Sequence, residues 1–503
     1  MNTNYKFAIS RIKEEYENQE KIKPFNIYIV LYRSIKKCII NKDLPHNWVL
    51  PSTRYLAEEL GFSRTTINKT YELLQLEKLI LAKVGSGNRV NYDNSINSIE
   101  NNDFNKKNKK LKYPKITKKG KLFLTNMSLI NRPNDSHLTF KPGLPPMDIF
   151  PVNQWKNLLN TYWRHIKSSG LSYHQSTGLE ELKKSLRNYL NVSRNIKCNH
   201  NQIVVVSGNL QSLYLITSAL IEKGDAAILE NPTFPNVHSV FKSQGANILG
   251  VGLDDEGVDI KKIKSLNNLK PKLIHTTPSN HYPTGVKMSL KRRKELLKWA
   301  SKNKGLIIEN DYENEVANYT ESLPSIFSLD KEDRTIYLST FNRLLHPSLR
   351  LGFMIVPNFL RPTIEALQEH SHRFVTPSIQ VVMNQFIERN YLFQHIKNIT
   401  KTAKLRHETF VKEFENNNKT MFIEHKVFSN FHVIAKFKKP VSEKKELAIV
   451  KKLSQHKIVV FSLSKCFLSK EKEQGLIFGY AAVRLNVIKQ KVIQMKEILN
   501  KEF

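Results

Sequence analysis

Cysteine is scarce in this chain of 503 residues, which has three: Cys38, Cys198 and Cys466. They are far apart, odd in number, and none belongs to a Cys-x-x-Cys pair. This spacing argues against a disulfide framework and against a zinc site, and it is typical of a protein from a reducing compartment. We therefore expect no metal site and no structural disulfide.

Long apolar runs are also lacking. No run approaches the roughly 18 residues that a helix needs to span a bilayer. The first residues, MNTNYKFAISRIKEEYENQ, are polar and lack the apolar core of a signal peptide. We therefore expect a cytoplasmic protein that has no membrane partner.

Acidic residues are few: 45 Asp and Glu stand against 79 Lys and Arg, a formal net charge of +34. Such an excess favours contact with polyanions, nucleic acid first. An AT-rich genome that encodes Lys, Asn and Ile freely would produce the same bias, so the charge alone does not decide the function. The chain is 40% hydrophobic, enough for a large core, and its length implies two or three domains.

Three regions differ in texture. Residues 25–91 have the pattern of short helices followed by a glycine-rich hairpin. Residues 92–135 are rich in Asn and Lys and poor in apolar residues, which is typical of a solvated linker. In residues 136–503 short apolar runs alternate with amphipathic stretches, which predicts an α/β domain whose parallel sheet is covered on both faces. Ligands of such sheets bind beyond the carboxyl ends of the strands.

The strongest local pattern lies between residues 50 and 90. Ser52 is placed to cap a helix that Gly61 ends, and Ser63 is placed to cap the next helix. The apolar spacing in that second helix predicts a core stripe, which consists of Ile67, Tyr71 and Leu74. Four polar residues lie off this stripe near the N-terminal end, where a recognition helix meets bases and phosphates: Arg64, Thr65, Asn68 and Lys69.

This region resembles the winged helix-turn-helix domain of the GntR family in LPSTRYLAEELGFSRTTI and in the GSG of its wing. The resemblance implies that double-stranded operator DNA is a partner. Lys78 stands where the family usually has glycine, and Asn88-Arg89 replaces its usual Thr-Phe, but neither departure removes a DNA-facing residue. The alternative is a helical hairpin with a solvated basic face. The predicted DNA-binding residues are Arg54, Ser63, Arg64, Thr65, Thr66, Asn68, Lys69 and Gly85.

From residue 140 onward the chain resembles the fold-type-I aminotransferases, and as a whole it resembles the MocR-type transcription regulators. The matching stretches, in order, are FKPGLPPMDIFPVNQW, YHQSTGLEELKKSLRNYL, VSGNLQSL, ENPTFPNV, TPSNHYPTGVKMSLKRR, IIENDYENEV and STFNRLLHPSLRLGF. The resemblance implies a mainly helical winged domain, a large α/β domain of the fold-type-I kind with a smaller C-terminal α/β subdomain, and a homodimer.

The resemblance also implies a site for pyridoxal 5′-phosphate. Ser207, Gly208 and Asn209 follow a predicted strand and open a predicted helix, where free backbone N–H groups meet a phosphate. The family places an aromatic ring against the pyridine at Phe234, a tyrosine near the phenolic oxygen at Tyr312, and phosphate ligands at Thr340 and Arg350. Two further positions of the implied site are Tyr282 and Tyr173, the latter reaching the phosphate of the neighbouring subunit.

Two chemical positions depart from the family. Its Schiff-base lysine falls on Arg343, and a guanidinium stays protonated and cannot act as an amine nucleophile. We expect that no lysine can stand in for it nearby, because none lies between Lys331 and Lys397. The aspartate under the pyridine nitrogen falls on Asn310, and an amide does not hold that nitrogen protonated as a carboxylate does. We therefore expect neither covalent cofactor attachment nor transaminase activity, and no catalytic residue.

Other departures are milder. Asn280 and His281 replace a His-Gln pair, Lys183 replaces an arginine, and Lys465 is the candidate for the substrate-carboxylate group. We interpret the chain as a DNA-binding transcription regulator whose large domain serves dimerisation and non-covalent sensing of an anionic or phosphorylated effector. An aminotransferase with a DNA-binding appendage and a scaffold with a filled pocket remain as alternatives.

Overall fold

The computed structural model describes residues 3–20, 26–83, 87–92, 114–130, 139–317 and 323–502. The chain divides into two compact units, Met1–Pro114 and Lys115–Phe503.

The first unit is a set of helices with a two-stranded wing. The strands of the wing pair antiparallel, with Ile80 opposite Val90. Apolar side chains from the helices and the wing meet in one core. The elements are α1 Thr3–Glu20, α2 Ile27–Ile40, α3 Thr53–Leu60, α4 Arg64–Leu76, β1 Ile80–Lys83 and β2 Gly87–Val90.

The structure places the ends of α3 and α4 at the predicted residues. The Ser52 hydroxyl accepts from the Tyr55 N–H at 3.2 Å, and Ser63 accepts from the Thr66 N–H at 3.2 Å. Gly61 ends α3 in a left-handed conformation with φ of 70°, which glycine adopts without steric cost. The predicted stripe of α4 is buried: Ile67, Tyr71 and Leu74.

Helix α1 lies outside the predicted range 25–91. Its residues Ala8, Ile12 and Tyr16 are buried in the core of the first unit. They fall at i, i+4 and i+8, so they occupy one face of the helix. The stretch is polar overall, so its apolar face was not recognised from the sequence.

An eight-stranded sheet forms the centre of the second unit, in the order β3-β10-β9-β8-β7-β4-β5-β6. Strands β4, β5, β7, β8 and β9 run parallel. The strands are β3 Ile203–Val206, β4 Ala226–Asn231, β5 Asn247–Asp254, β6 Gly257–Val258, β7 Leu273–Thr276, β8 Leu306–Asn310, β9 Thr335–Thr340 and β10 Gly352–Ile355.

The sheet is mixed rather than wholly parallel, which corrects the expectation from sequence. Strand β10 runs antiparallel to both β3 and β9, and β6 runs antiparallel to β5. The connection from β9 to β10 consists of short 3₁₀ turns closed by the Phe341 N–H to Leu351 carbonyl bond at 3.0 Å. Such a connection holds no crossover helix, so the chain returns antiparallel.

Helices flank this sheet, and a smaller antiparallel sheet follows in the order β11-β12-β14-β13. These features confirm the predicted fold class. Helix α5 lies inside the range predicted as linker. The remaining elements are α5 Lys118–Asn126, α6 Val152–His165, α7 Glu180–Arg194, α8 Asn209–Leu220, α9 Pro235–Ser243, α10 Ile260–Ser265, α11 Leu290–Asn303, α12 Asn314–Ala317, α13 Ile326–Leu329, α14 Arg361–Ser371, α15 Pro377–Glu388, α16 Tyr391–Glu415, β11 Met421–Ile423, β12 His432–Phe437, α17 Glu443–Gln455, β13 Phe461–Ser462, β14 Gly475–Gly479 and α18 Leu485–Asn500.

Within the described part of the chain, every helix is too short or too polar to cross a membrane. The described residues also contain no cluster of three or more His, Cys, Asp or Glu side chains that could hold a metal ion.

Candidate functional site

Helix α4 presents four of the eight predicted DNA-binding residues to solvent. Arg64, Thr65, Asn68 and Lys69 are exposed on it, and Arg54 is exposed on α3. The predicted set also includes Ser63, Thr66 and Gly85. The Thr66 hydroxyl is engaged with the Ser63 hydroxyl at 2.8 Å, within the cap of the helix. Gly85 lies outside the described residues.

The wing is joined to α4 by polar contacts. Gln75 Nε2 donates to Asn88 Oδ1 at 2.9 Å. Asn91 Nδ2 donates to the Lys78 carbonyl at 3.1 Å. Lys78 itself has φ of 56°, so this lysine adopts the left-handed conformation that a glycine would supply. The two departures at Lys78 and Asn88 therefore leave the turn and the wing in place.

Two adjoining cavities lie in the second unit, and the ends of β7, β8 and β9 contribute to them. The strand-end cavity measures about 110 Å³ and the outer cavity about 320 Å³. Their shared walls include Asn209, Phe234, Tyr282, Thr340 and Arg343. His275, Asn310 and Tyr312 complete the strand-end cavity. Gly208 and Arg350 belong to the outer one.

The predicted phosphate ligands gather at the start of α8. Gly208 precedes this helix with φ of 127°, and the first N–H groups of a helix have no intrahelical partner. The Ser207 hydroxyl donates to Gln211 Oε1 at 2.8 Å, and Arg350 Nη2 lies 3.5 Å from the same hydroxyl. The Thr340 hydroxyl donates to the Leu351 carbonyl at 3.2 Å. Local bonds thus already engage both hydroxyls, whereas the Arg350 guanidinium is exposed.

Tyr173 lies apart from both cavities. Its side chain is 77% exposed, and the Arg373 guanidinium lies 4.7 Å from the centre of its ring. Within a single chain, Tyr173 lines neither the strand-end cavity nor the outer cavity. Exposure leaves it accessible to a second subunit.

Asn310 is held between two neighbours at the end of β8. Asn209 Nδ2 donates to Asn310 Oδ1 at 2.6 Å, and Asn310 Nδ2 lies 3.2 Å from His275 Nε2. Burial lowers the pKa of His275 to about 3, so the ring is neutral. Because an amide nitrogen only donates, His275 carries its proton on Nδ1, and that atom has no hydrogen-bond partner among the described residues.

Aromatic side chains form the opposite part of the wall. The rings of Phe234 and Tyr282 meet edge to face at 4.8 Å. The Tyr312 hydroxyl donates to the Asn280 carbonyl at 3.2 Å. Tyr282 Oη is buried and has no partner among the described residues. Burial raises the pKa of Tyr282 and of Tyr312, so both phenols stay neutral.

Arg343 enters the cavities from the turn that follows β9. Its Nη1 lies 3.3 Å from Glu313 Oε1, and its Cζ lies 5.4 Å from the centre of the Tyr312 ring. Burial raises the pKa of Glu313, and the Arg343 charge opposes that rise. A Cβ atom at Gly143 would stand 2.1 Å from Arg343 Nη1. The guanidinium therefore packs against a position that only glycine leaves open.

The side chain of Asp311, next to Asn310, makes its contacts on the other side of the sheet. Its Oδ2 accepts from Arg194 Nε at 2.9 Å and from the Tyr337 hydroxyl at 2.8 Å. Successive residues of a strand point to opposite faces, so this carboxylate lines neither cavity. It therefore cannot take the role that the resemblance implies for an aspartate at position 310.

Lys141 is the residue that the sequence analysis missed. It lines the outer cavity together with Arg343, although about 200 positions separate the two in the chain. The expectation that no lysine can stand in for Arg343 nearby rested on its sequence neighbours alone. The stretch FKPGLPP was the sequence signal that placed this segment in the large unit. Lys465, the candidate for a carboxylate ligand, is exposed and lines neither cavity.

Fold and site together define a winged helix-turn-helix unit followed by an aminotransferase-like unit. Residues 146–487 match the family described as aminotransferase class I and II, and the chain belongs to this family. Residues 27–90 match the gntR family of bacterial regulatory proteins. The combination is the architecture of the MocR-type transcription regulators, as the resemblance implied.

Individual relatives agree with this assignment. The chain is 26% identical over 471 residues to the probable rhizopine catabolism regulatory protein MocR of Rhizobium meliloti, covering 93% of this chain and 92% of that protein. It is 30% identical over 280 residues to an aromatic-amino-acid aminotransferase of Thermococcus litoralis, covering 54% of this chain and 67% of that enzyme. A crystal structure of an archaeal alanine:glyoxylate aminotransferase superposes with a TM-score of 0.68 at 22% identity, over 77% of this chain and 96% of that chain. This structural similarity is evidence for the fold alone.

Proposed function

We propose that this chain is an operator-binding transcription regulator whose aminotransferase-like unit forms a homodimer and binds a phosphorylated effector without covalent chemistry. The observation that carries the proposal is the Arg343 guanidinium, paired with Glu313 at 3.3 Å and facing a cavity where the family resemblance places an amine. A guanidinium remains protonated, so it binds anions but does not attack an aldehyde.

The residues fit pyridoxal 5′-phosphate as a non-covalent ligand and do not fit it as a covalent cofactor. The start of α8 and Arg350 would hold the phosphate through N–H donors and charge. Three buried atoms have no hydrogen-bond partner among the described residues and would be able to bind polar groups of the ligand's ring: Asn209 Oδ1, His275 Nδ1 and Tyr282 Oη. Such atoms in a protein interior are usually satisfied, which supports a polar occupant. Arg343 and Asn310 supply neither the amine nor the carboxylate of a transaminase.

The rival function is an aminotransferase with a DNA-binding appendage, which the likeness to the Thermococcus enzyme favours. Purified protein mixed with pyridoxal phosphate separates the two. We expect no lysine adduct after borohydride reduction, measured by peptide mass spectrometry, and no turnover with common amino acids. A reduced adduct at Lys141, which lines the outer cavity, together with transaminase turnover would establish the enzyme instead.

A scaffold whose pocket binds nothing is the remaining alternative. Thermal unfolding in the presence of pyridoxal phosphate and related phosphates distinguishes it, because a ligand of the native state raises the melting temperature. We expect a rise that Arg350→Gln reduces. No rise with any phosphate, at concentrations up to the millimolar range, would leave the large unit as a dimerisation scaffold.

A further inference from the structure

The charge on the walls of the outer cavity is of one sign. Lys141, Arg343 and Arg350 line it, and no carboxylate does so among the described residues. Cationic groups that line a concave site focus their potential and attract anions more strongly than scattered surface charges do. A single phosphate would use only part of this charge.

The three cations belong to different surroundings. Arg350 lies beside Ser207 at the start of α8, where the proposed phosphate ligands gather. Arg343 instead packs on Gly143, and Lys141 stands two residues before that glycine, in the same wall. Lys141 and Arg343 therefore both line the outer cavity at or against the loop of residues 141–143.

Neither cation of this pair is fully compensated. Lys141 forms no ion pair with any residue that the structure describes. Arg343 faces a single carboxylate, that of Glu313, and its buried Nη1 atom makes no hydrogen bond with a described residue. One carboxylate thus stands against two cations, and a guanidinium carries five N–H donors. The outer cavity, of about 320 Å³, borders both cations.

We propose that Lys141 and Arg343 form a second anion subsite, so that the effector is an aromatic phosphate carrying another anionic group such as a carboxylate. This inference rests on the proposed function, because it takes the phosphate to be bound at Ser207 and Arg350. The second anion occupies the place where the family resemblance puts the reactive aldehyde, and it accepts charge-assisted hydrogen bonds there.

Three ligands with the same ring and phosphate test the subsite, since they differ only at the ring carbon that bears the aldehyde. They carry a carboxylate (4-pyridoxic acid 5′-phosphate), a methyl group (4-deoxypyridoxine 5′-phosphate) or an aminomethyl group (pyridoxamine 5′-phosphate). Calorimetric titration of the full chain should give the carboxylate at least about 10-fold tighter binding than the aminomethyl compound. The methyl compound should fall between them.

Variants assign the preference to residues. Lys141→Gln and Arg343→Gln should each bring the carboxylate-to-aminomethyl ratio toward one, whereas Arg350→Gln should weaken all three ligands by a similar factor. Lys141 is half-buried in a loop, so its variant keeps the test valid if Arg343→Gln fails to fold. A ratio near one in the natural protein, or one that both Gln variants leave unchanged, overturns the second subsite. Failure of all three ligands to bind overturns the proposed function instead.

Discussion

Arg343 occupies the position where the family resemblance implies a Schiff-base lysine, and several neighbours hold it there. Its guanidinium is held by the fully buried Glu313 carboxylate, by the Tyr312 ring and by the absence of a side chain at Gly143. Asn310 is likewise held by its neighbours, because Asn209 and His275 both bond to the amide. Both side chains therefore have partners in the surrounding structure.

The direct test of the cavity is to install the two residues that the family resemblance implies for an aminotransferase. In the double variant Arg343→Lys with Asn310→Asp, residue 343 supplies an amine nucleophile, and residue 310 supplies a carboxylate for the ring nitrogen. We expect this variant to take up pyridoxal phosphate and turn yellow, as measured by visible absorbance and by a borohydride-fixed adduct at residue 343. Asn310→Asp alone is the control and should give no borohydride-fixed adduct at residue 343. A well-folded double variant that also gives no such adduct in excess cofactor would mean that the space for the cofactor has closed.

Gly143 should be intolerant of any side chain because of Arg343. Gly143→Ala places a Cβ 2.1 Å from the guanidinium at a position with φ of +84°, and we expect it to destabilise the second unit by about 1–3 kcal/mol. Gly224→Ala is a matched control, since φ is +97° there and nothing lies within 4 Å of the added atom. Thermal unfolding should show the larger loss at Gly143, and Arg343→Ala should relieve it. Equal losses at both glycines would remove the contact from the explanation.

Arg64 is the side chain whose loss should affect operator binding most clearly. It is exposed in the first turn of α4. If it reads a base, Arg64→Ala weakens binding to the cognate operator by about 1–3 kcal/mol, as measured by fluorescence anisotropy at fixed salt. Arg187→Ala, an exposed arginine of the other unit, removes the same charge and should leave the affinity nearly unchanged. A loss of only a few tenths of a kcal/mol at Arg64 would exclude it from recognition.

At the scale of elements, α1 extends the DNA-binding unit beyond the part that matches the gntR family. Tyr16 of this helix meets Phe62 at 5.1 Å between ring centres, directly before the Ser63 cap of α4. Lys37 of α2 also pairs with Glu15 at 2.6 Å. The helix thus packs against the turn that positions the recognition helix.

Removing one core side chain of α1 should therefore destabilise the whole first unit. Ile12 is fully buried, and Ile12→Ala should cost about 2–5 kcal/mol by leaving a cavity. We expect a lower melting temperature and weaker operator binding at 37 °C, with Glu17→Ala on the exposed face as the control. Unchanged melting of the Ile12 variant would show that α1 is dispensable for the fold of this unit.

At the scale of the whole molecule, the proposed dimer makes Tyr173 a residue of the neighbouring site. Its 77% exposure within one chain is consistent with such a role. Tyr173→Phe and Arg350→Gln should each weaken binding of a phosphorylated ligand. If Arg350 of one subunit and Tyr173 of the other form one site, a dimer of one Tyr173→Phe chain and one Arg350→Gln chain contains one intact site and one doubly altered site. Random mixing makes half of the dimers mixed, so about a quarter of all sites recover binding. Calorimetry of the mixture measures that fraction, and no recovery would place Tyr173 outside the partner's site.

Much of the architecture could be predicted because the signals are local. Caps at Ser52 and Ser63, the turn at Gly61 and the periodic stripe of α4 depend on neighbours within a few residues, so backbone physics determines them directly. The alternation of apolar runs with amphipathic stretches likewise indicated the class of the large unit. The Asn- and Lys-rich composition of residues 92–135 was less informative about secondary structure, since α5 lies within this range.

The sequence by itself determined the order of units and the class of each fold, because residue type and spacing carry that information. Only the tertiary structure decided that β10 runs antiparallel, that α1 joins the first core and that Lys141 shares a cavity wall with Arg343. It also decided that Glu313 and Gly143 accommodate the guanidinium. These are contacts between residues far apart in the chain, and their formation depends on packing and loop closure, which no local pattern encodes.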